Sequence, residues 1–130
     1  MSQYRLDKLL APHSIVVVGA SPRLTSVGRA ILRNLREGGF AGPIHLVNPR
    51  HLNIEGITAV PRIQDLPEDL DLAVVAVPPP AVPETIAALG VKGCASAIVT
   101  TSGLGHGADS LAEATRQNAR ASGLRLVGPN

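Results

Sequence analysis

The sequence predicts an α/β protein with a Rossmann-like, doubly wound fold: a mostly parallel sheet with helices on both faces. Short, uninterrupted runs of Val, Ile, Leu and Ala recur along the chain, and such runs are typical of strands that are covered on both faces. Segments with helical spacing separate most of these runs, so the crossovers are long enough for parallel pairing. Glycine, serine or proline follows most of the runs, at the points where the chain must turn.

Size and composition are those of one domain. The chain has 130 residues, and we expect a single domain over residues 1–130 with an N-terminal lead-in over residues 1–13. Its one cysteine, Cys94, excludes an internal disulfide framework and fits a reducing, cytoplasmic environment. No apolar run reaches the about 18 residues of a membrane span. The net charge is only +2 and there is no Trp, so we expect neither a membrane nor a nucleic acid as partner.

The first strand and the helix after it surround a glycine-bearing loop. Residues 14–18 read as a buried strand, and Gly19 opens a loop of small residues that continues to Gly28. From Gly28 the apolar residues recur at helical spacing until the glycine pair at 38–39. Such a loop binds a phosphate or diphosphate through backbone N–H groups and the positive end of the helix. Ser21 replaces the second glycine of a G-x-G-x-x-G motif, so a tight turn without a ligand remains the alternative.

The remaining elements follow in order, each ended by a turn residue. Three leucines before Pro12 predict a short helix that stops ahead of that proline, namely Leu6, Leu9 and Leu10. Further strands are predicted at 44–47, at 57–60 on the edge of the sheet, and at 72–77, 97–101 and 124–127. Further helices are predicted at about 81–90 and 109–122. The proline run 78–80 is interpreted as a strand-to-helix turn.

In a sheet of this kind, ligands bind at the carboxyl ends of the strands, near the switch in strand order. An NAD-binding domain usually carries an acid at the end of its second strand, where it accepts hydrogen bonds from the ribose 2′-OH. This chain carries Arg50 there, and an arginine attracts a ribose phosphate. The residues therefore favour NADP or coenzyme A as the ligand, with a solvated Arg50 as the alternative. The four strand ends read Gly19-Ala20-Ser21, Asn48-Pro49-Arg50, Val77-Pro78-Pro79 and Thr101-Ser102-Gly103.

Taken in order, these motifs resemble the CoA-binding domain that opens the NDP-forming acyl-CoA synthetases, relatives of the succinyl-CoA synthetase α subunit. The same domain opens the large bacterial protein lysine acetyltransferases. The resemblance covers about residues 5–130. It is carried by Gly19-Ala20-Ser21, Val27-Gly28, Val47-Asn48-Pro49-Arg50, Ala76-Val77-Pro78, Thr101-Ser102-Gly103 and Gly128-Pro129-Asn130.

The resemblance implies a contact with coenzyme A or acyl-CoA at each matching position, and no chemical catalyst among them. The phosphate side would be lined by Gly19, Ala20, Ser21, Ser26 and Val27. The adenosine and its 3′-phosphate would be held by Asn48 and Arg50. The nucleotide would be flanked by Val77 and Pro78, and the pantetheine arm by Ser102 and Gly103. The resemblance further implies a domain that is inactive alone, within a parent protein that supplies ligase, ATP-grasp or acetyltransferase domains.

The chain departs from the family's pattern in two places. Leu104-Gly105-His106-Gly107 stands where relatives often carry Phe and an acid, and Val60 stands where an aromatic residue is common. Two other functions therefore stay open. One is the NADP-binding domain of an oxidoreductase, and the other is a regulatory or docking module that binds no nucleotide.

The remaining polar residues are predicted to be structural or solvated. The four histidines show no metal-ligand spacing, and His106 alone lies in a loop near the predicted site. Cys94 is predicted as a buried thiol, because no pair of activating neighbours accompanies it. The acidic cluster is predicted as a solvated loop and comprises Asp65, Glu68, Asp69 and Asp71.

Overall fold

A computed structural model describes residues 3–21, 23 and 26–129, with the side chains of residues 3–5 left undescribed. Three residues of the predicted phosphate loop, Pro22, Leu24 and Thr25, and the last residue of the closing motif, Asn130, lie outside this part of the chain. The helices within it are Gln3–Leu10 (α1), Val27–Glu37 (α2), Val82–Lys92 (α3) and Leu111–Ser122 (α4). The strands are Ile15–Val18 (β1), Ile44–Val47 (β2), Asn53–Ile54 (β3), Ile57–Val60 (β4), Leu72–Val75 (β5), Ser96–Val99 (β6) and Arg125–Val127 (β7).

The strands form one sheet in the order β3-β4-β2-β1-β5-β6-β7. All neighbours are parallel except β3 and β4. Strands β2, β4 and β3 lie on one side of β1 in the sheet. The chain then crosses to the other side of β1, where β5, β6 and β7 follow in order. This order confirms the predicted doubly wound fold. Val18 pairs in register with Val47 and Val75, so β1, β2 and β5 end at one level beside the switch in strand order.

Helices cover both faces of the sheet, which explains why the strands do not alternate apolar and polar residues. All four residues of β1 are buried. Val16 belongs to the apolar cluster that contains Ile86 of α3, and Val17 belongs to the cluster that contains Leu32 of α2. Leu9 of α1 packs on the same side as α2. The central strand is therefore held from both sides, and its carboxyl end is a rigid support for a site.

Most predicted elements are confirmed, and one position in the sheet is wrong. The sequence predicts an edge strand at 57–60, but β4 lies between β2 and β3. The outer strand β3 is joined to β4 by Glu55 and Gly56, whose φ angles are 51° and 84°. This tight turn lets a two-residue strand pair antiparallel to β4. A segment that short carries no readable periodicity in the sequence.

The prediction of a solvated acidic loop is wrong for Asp71, which is 5% exposed. Its carboxylate accepts a hydrogen bond from the His13 backbone N–H at 2.6 Å and pairs with Lys8 Nζ at 3.3 Å. The Ser14 hydroxyl group donates to the Asp69 carbonyl at 3.2 Å and accepts from the backbone N–H of Asp71 at 3.1 Å. Asp71 therefore fastens the lead-in to the amino end of the sheet, and this role removes it from solvent.

Among the described helices, none has the length and apolar character needed to span a membrane.

Candidate functional site

The site begins where the N-terminus of α2 meets the ends of β1 and β5. Gly19 follows β1 with φ at +102°, and a Cβ on it would lie 2.5 Å from the carbonyl oxygen of Ala76. A Cβ on Gly28 would overlap the carbonyl oxygen of Gly19. Glycine is required at Gly19 for the positive φ and the close approach, and at Gly28 for the close approach, because glycine has no side chain. The ends of β1 and β5 and the N-terminus of α2 consequently lie in direct contact at Gly19.

The N-terminus of α2 presents donors at this convergence. Ser26 is the N-cap, and its Oγ accepts a hydrogen bond from the Arg29 backbone N–H at 3.0 Å. That bond uses the oxygen as an acceptor, so the Ser26 O–H proton remains available to donate. The Oγ of Ser21 likewise accepts a backbone hydrogen bond, from the Arg23 N–H at 3.1 Å. A helix N-terminus with such donors favours an anion.

Asn48 joins the loop after β1 to the loop after β2. It is 9% exposed, and its Nδ2 donates to the Ala20 carbonyl oxygen at 2.7 Å. Its Oδ1 accepts from the backbone N–H groups of Arg50 at 2.7 Å and His51 at 2.9 Å. The side-chain bonds of Asn48 thus run to backbone on both loops. The side chain of Arg50 is exposed at the same edge of the sheet.

One cleft opens between α2 and the ends of β5 and β6. The hydroxyl groups of two threonines in this cleft donate to backbone carbonyls. Thr100 Oγ1 donates to the Val75 carbonyl at 3.0 Å, and Thr101 Oγ1 donates to the Val77 carbonyl at 2.7 Å. With these hydroxyl protons engaged, the walls present mainly methyl and methylene groups. The cleft has a volume of about 380 Å³ and is lined by Val27, Ala76, Val77, Pro78, Pro79, Thr100, Thr101 and Ser102. Gly103 follows directly, exposed and with φ at +82°.

A second cleft lies on the other face of the sheet, between the ends of β1 and β2 and helix α3. It has a volume of about 460 Å³ and is lined by Val18, Val47, Pro49, Pro61, Arg62, Ile63, Gln64, Glu84, Thr85 and Ala88. The sequence analysis placed Pro49 at a ligand-binding strand end but predicted a ligand contact for none of these residues. Pro61 carried a usable signal, because it follows a predicted strand at its carboxyl end. Thr85 carried none, since it reaches the cleft only through the packing of α3 on the sheet.

The outer face of α2 beside the site is basic. Glu55 pairs with Arg29 at 2.9 Å and lies 3.8 Å from Arg33, and its backbone carbonyl accepts from Arg36 at 2.7 Å. Two guanidinium groups thus share one carboxylate, and a third bonds the backbone carbonyl of the same residue. The excess positive charge favours an anionic ligand near the N-terminus of α2. The described residues contain no group of three or more His, Cys, Asp or Glu side chains that could bind a metal ion.

Comparison with known proteins matches residues 13–130 to the CoA binding domain family. Acetate--CoA ligase [ADP-forming] II of Archaeoglobus fulgidus is 37% identical over 128 residues, which cover 96% of this chain and 19% of that protein. Trans-feruloyl-CoA synthase FCS1, from an unknown prokaryotic organism, is 33% identical over 132 residues, which cover 99% of this chain and 19% of that protein. This chain therefore spans about a fifth of the length of these relatives.

The fold also matches a solved structure. The dinucleotide forming acetyl-coenzyme A synthetase 1 of Ca. Korarchaeum cryptofilum, in complex with phosphate and ADP, superposes with a TM-score of 0.89 and 37% identity. The match covers 96% of this chain and 27% of that chain.

Proposed function

The chain belongs to the CoA binding domain family, and from that premise we propose that its carboxyl-edge site binds coenzyme A or an acyl-CoA for an ADP-forming acyl-CoA synthetase. The observation that carries the proposal is the Asn48 amide, which holds the Gly19–Ser21 loop and the Arg50 loop together at one edge of the sheet. Coenzyme A carries a diphosphate and a separate 3′-phosphate. Two adjacent anion sites are what such a ligand requires.

In this proposal the diphosphate lies against the N-terminus of α2. Its contacts come from the backbone of the glycine turn and from the cap, at Gly19, Ala20, Ser21, Ser26 and Val27. Arg50 binds the 3′-phosphate of the ribose. A hydrogen bond to a charged group contributes about 1.5–3 kcal/mol, so this one contact is enough to separate coenzyme A from its dephosphorylated form.

The two clefts then divide the rest of the ligand. The adenine ring occupies the cleft on the α3 side, where Pro49 and Pro61 offer flat apolar surface close to Arg50. Val77 and Pro78 flank the nucleotide where the apolar cleft begins, and the pantetheine arm follows that cleft towards Ser102 and Gly103. Its amides can bond to the backbone at the mouth of that cleft, while its methyl groups contact the walls.

The acyl group is chosen elsewhere in the parent protein. Relatives named for acetate and for trans-ferulate match this chain at 37% and 33% identity, so the domain recognises the carrier that both reactions share. The residues proposed for the site bind and orient; bond formation belongs to other domains. The single cysteine is buried, and a chain without a disulfide framework fits a reducing, cytoplasmic setting.

Isothermal titration calorimetry with coenzyme A, dephospho-CoA and NADP tests the proposal. We expect coenzyme A to bind about ten- to a hundredfold more tightly than dephospho-CoA, and Arg50→Gln to remove that difference. Arg120→Gln, at an exposed ion pair on α4, is the matched control and should keep it. Equal binding of the two coenzymes by the unmodified protein contradicts the role of Arg50. Binding of NADP alone indicates an oxidoreductase domain, and no binding at millimolar ligand indicates a docking module.

A further inference from the structure

The amide of Asn48 is oriented by its partners. Its Oδ1 faces two backbone N–H groups, those of Arg50 and His51, and its Nδ2 faces the carbonyl oxygen of Ala20. The reverse orientation would set amide hydrogens against N–H groups and an oxygen against a carbonyl. A buried amide with all these bonds satisfied is held in one rotamer and one flip state. It therefore fixes the positions of the groups that it touches.

The bond to the Ala20 carbonyl also orients the peptide group that joins Ala20 to Ser21. In a trans peptide the C=O and the following N–H point in opposite directions. Because the Ala20 carbonyl points inward to Asn48 at 2.7 Å, the N–H of Ser21 points away from Asn48. Ala20 itself is fully buried, so this peptide plane has little freedom to rotate.

The bonds to Arg50 and His51 act on the other loop. Acceptance of N–H groups two and three residues ahead forms a local turn that reverses the chain directly after β2. The turn starts from a fixed base, since the backbone N–H of Asn48 bonds the Val60 carbonyl of β4 at 2.9 Å. The Cα of Arg50 is thus held in place although its side chain is exposed.

We propose that Asn48 is a positioning residue that couples the two phosphate-binding loops, rather than a direct contact of the adenosine. The inference rests on the proposed function. Through its Oδ1, Asn48 holds Arg50 where the 3′-phosphate binds. Through its Nδ2, Asn48 turns the Ser21 N–H towards the diphosphate. Loss of the side chain weakens both contacts, whereas loss of the Nδ2 donor alone weakens only the diphosphate contact.

Two variants separate these roles in calorimetric titrations with coenzyme A and dephospho-CoA. Asn48→Ala removes both sets of bonds, and we expect weaker binding of both ligands and loss of the tenfold or greater preference for coenzyme A. Asn48→Asp keeps the acceptor for Arg50 and His51 but cannot donate to Ala20, so it should weaken both ligands and keep the preference. Asn53→Ala is the matched control, because its Oδ1 bonds the Gly56 N–H at 3.1 Å in the outer hairpin, and it should bind both ligands normally.

A double variant tests whether Asn48 acts through Arg50. If it does, adding Arg50→Gln to Asn48→Ala changes the affinity for coenzyme A by less than about twofold, since the contact is already lost. A wild-type preference in Asn48→Ala, or independent effects in the double variant, overturns the inference while the proposed function stands. Failure of the unmodified protein to bind coenzyme A overturns the proposed function and this inference with it.

A measurement on the unmodified protein covers the case in which the variants do not fold. The side-chain amide protons of Asn48 and the backbone amide protons of Arg50 and His51 should exchange slowly with solvent in NMR experiments. Fast exchange at all three residues would show that the bonds do not persist in solution, and the coupling role would be wrong.

Discussion

Gly28, in the first turn of α2, lies so close to Gly19 that a methyl group on Gly28 would overlap the carbonyl oxygen of Gly19. Gly28 is buried, so the helix cannot tilt outward to make room without exposing its packed face. The position of α2 and the shape of the loop after β1 therefore depend on each other. Because the proposed anion site is built from both, a change at this contact should affect stability and ligand binding together.

Gly28→Ala tests that dependence. In a helix with free space, Gly→Ala stabilises by roughly 1 kcal/mol, but overpacking a close contact costs about 1–3 kcal/mol. We expect a lower midpoint of thermal unfolding and at least tenfold weaker binding of coenzyme A. Asn34→Ala, at an exposed position of the same helix, is the control and should leave binding unchanged. A variant that is more stable and binds normally would show that the contact is not close in solution.

Val27→Asp should move stability and binding in opposite directions. Val27 is the first residue of α2 and is 58% exposed. A carboxylate at a helix N-terminus stabilises by about 0.3–1 kcal/mol, yet it would repel the diphosphate of the ligand. We expect an equal or higher unfolding midpoint and at least tenfold weaker binding of coenzyme A, measured by thermal unfolding and calorimetry. Val27→Asn, with similar size and no charge, should bind nearly normally; equal loss in both variants would argue against an anion at this helix end.

Asp71→Ala should destabilise the fold and leave the site intact. The variant removes a buried carboxylate that accepts from the His13 N–H and pairs with Lys8, and a hydrogen bond to a charged group contributes about 1.5–3 kcal/mol. We expect that loss in urea unfolding, with unchanged affinity for coenzyme A, because Asp71 lies at the amino end of the sheet. Asp65→Ala removes a more exposed ion pair with Arg62 at 3.3 Å and should cost less than about 1 kcal/mol. Equal costs in the two variants would contradict the buried role of Asp71.

His45 should make the stability depend on pH. Burial lowers the pKa of His45 from its ordinary value of 6.5, so the unfolded chain binds a proton more readily than the folded protein. The contribution of neutral His45 to the free energy of unfolding is therefore fully present above about pH 6.5. It falls as the pH drops through the window between that value and the lowered pKa. Urea unfolding between about pH 5 and 8 should show this decline, and His45→Gln should flatten it. His106→Gln, in an exposed loop, should keep the wild-type profile; an unchanged profile in His45→Gln would refute the assignment.

Strands and helices with strong local signals were predictable. β1 and β2 match the predicted apolar runs, because a strand buried on both faces needs an unbroken apolar sequence. The boundaries shifted where a side chain or a proline set the end. The strand predicted over 72–77 stops at Val75, ahead of Pro78, and the helix predicted from residue 109 begins after its N-cap Ser110.

The site was predictable only in part. Parallel strands end at one edge of a sheet, so the residues at 19–21, 48–50, 77–78 and 102–103 could be grouped from their order along the chain. The partners of Asn48 could not be read in this way, because its bonds join residues 28 positions apart as well as near neighbours. The α3-side cleft could not be predicted either, because it forms only when α3 packs on the sheet. The direct roles of the predicted site residues toward coenzyme A remain predictions.

Local chemistry in the sequence was sufficient for the order of strands and helices, the glycine turn and the cationic residue after β2. Those features depend on backbone sterics and on burial of apolar runs, which act between residues close in the chain. The neighbours of β4, the burial of Asp71 and the bridge formed by Asn48 required the folded chain. Each results from a contact between distant segments, and a polar group can be satisfied by several distant partners until packing leaves only one within reach.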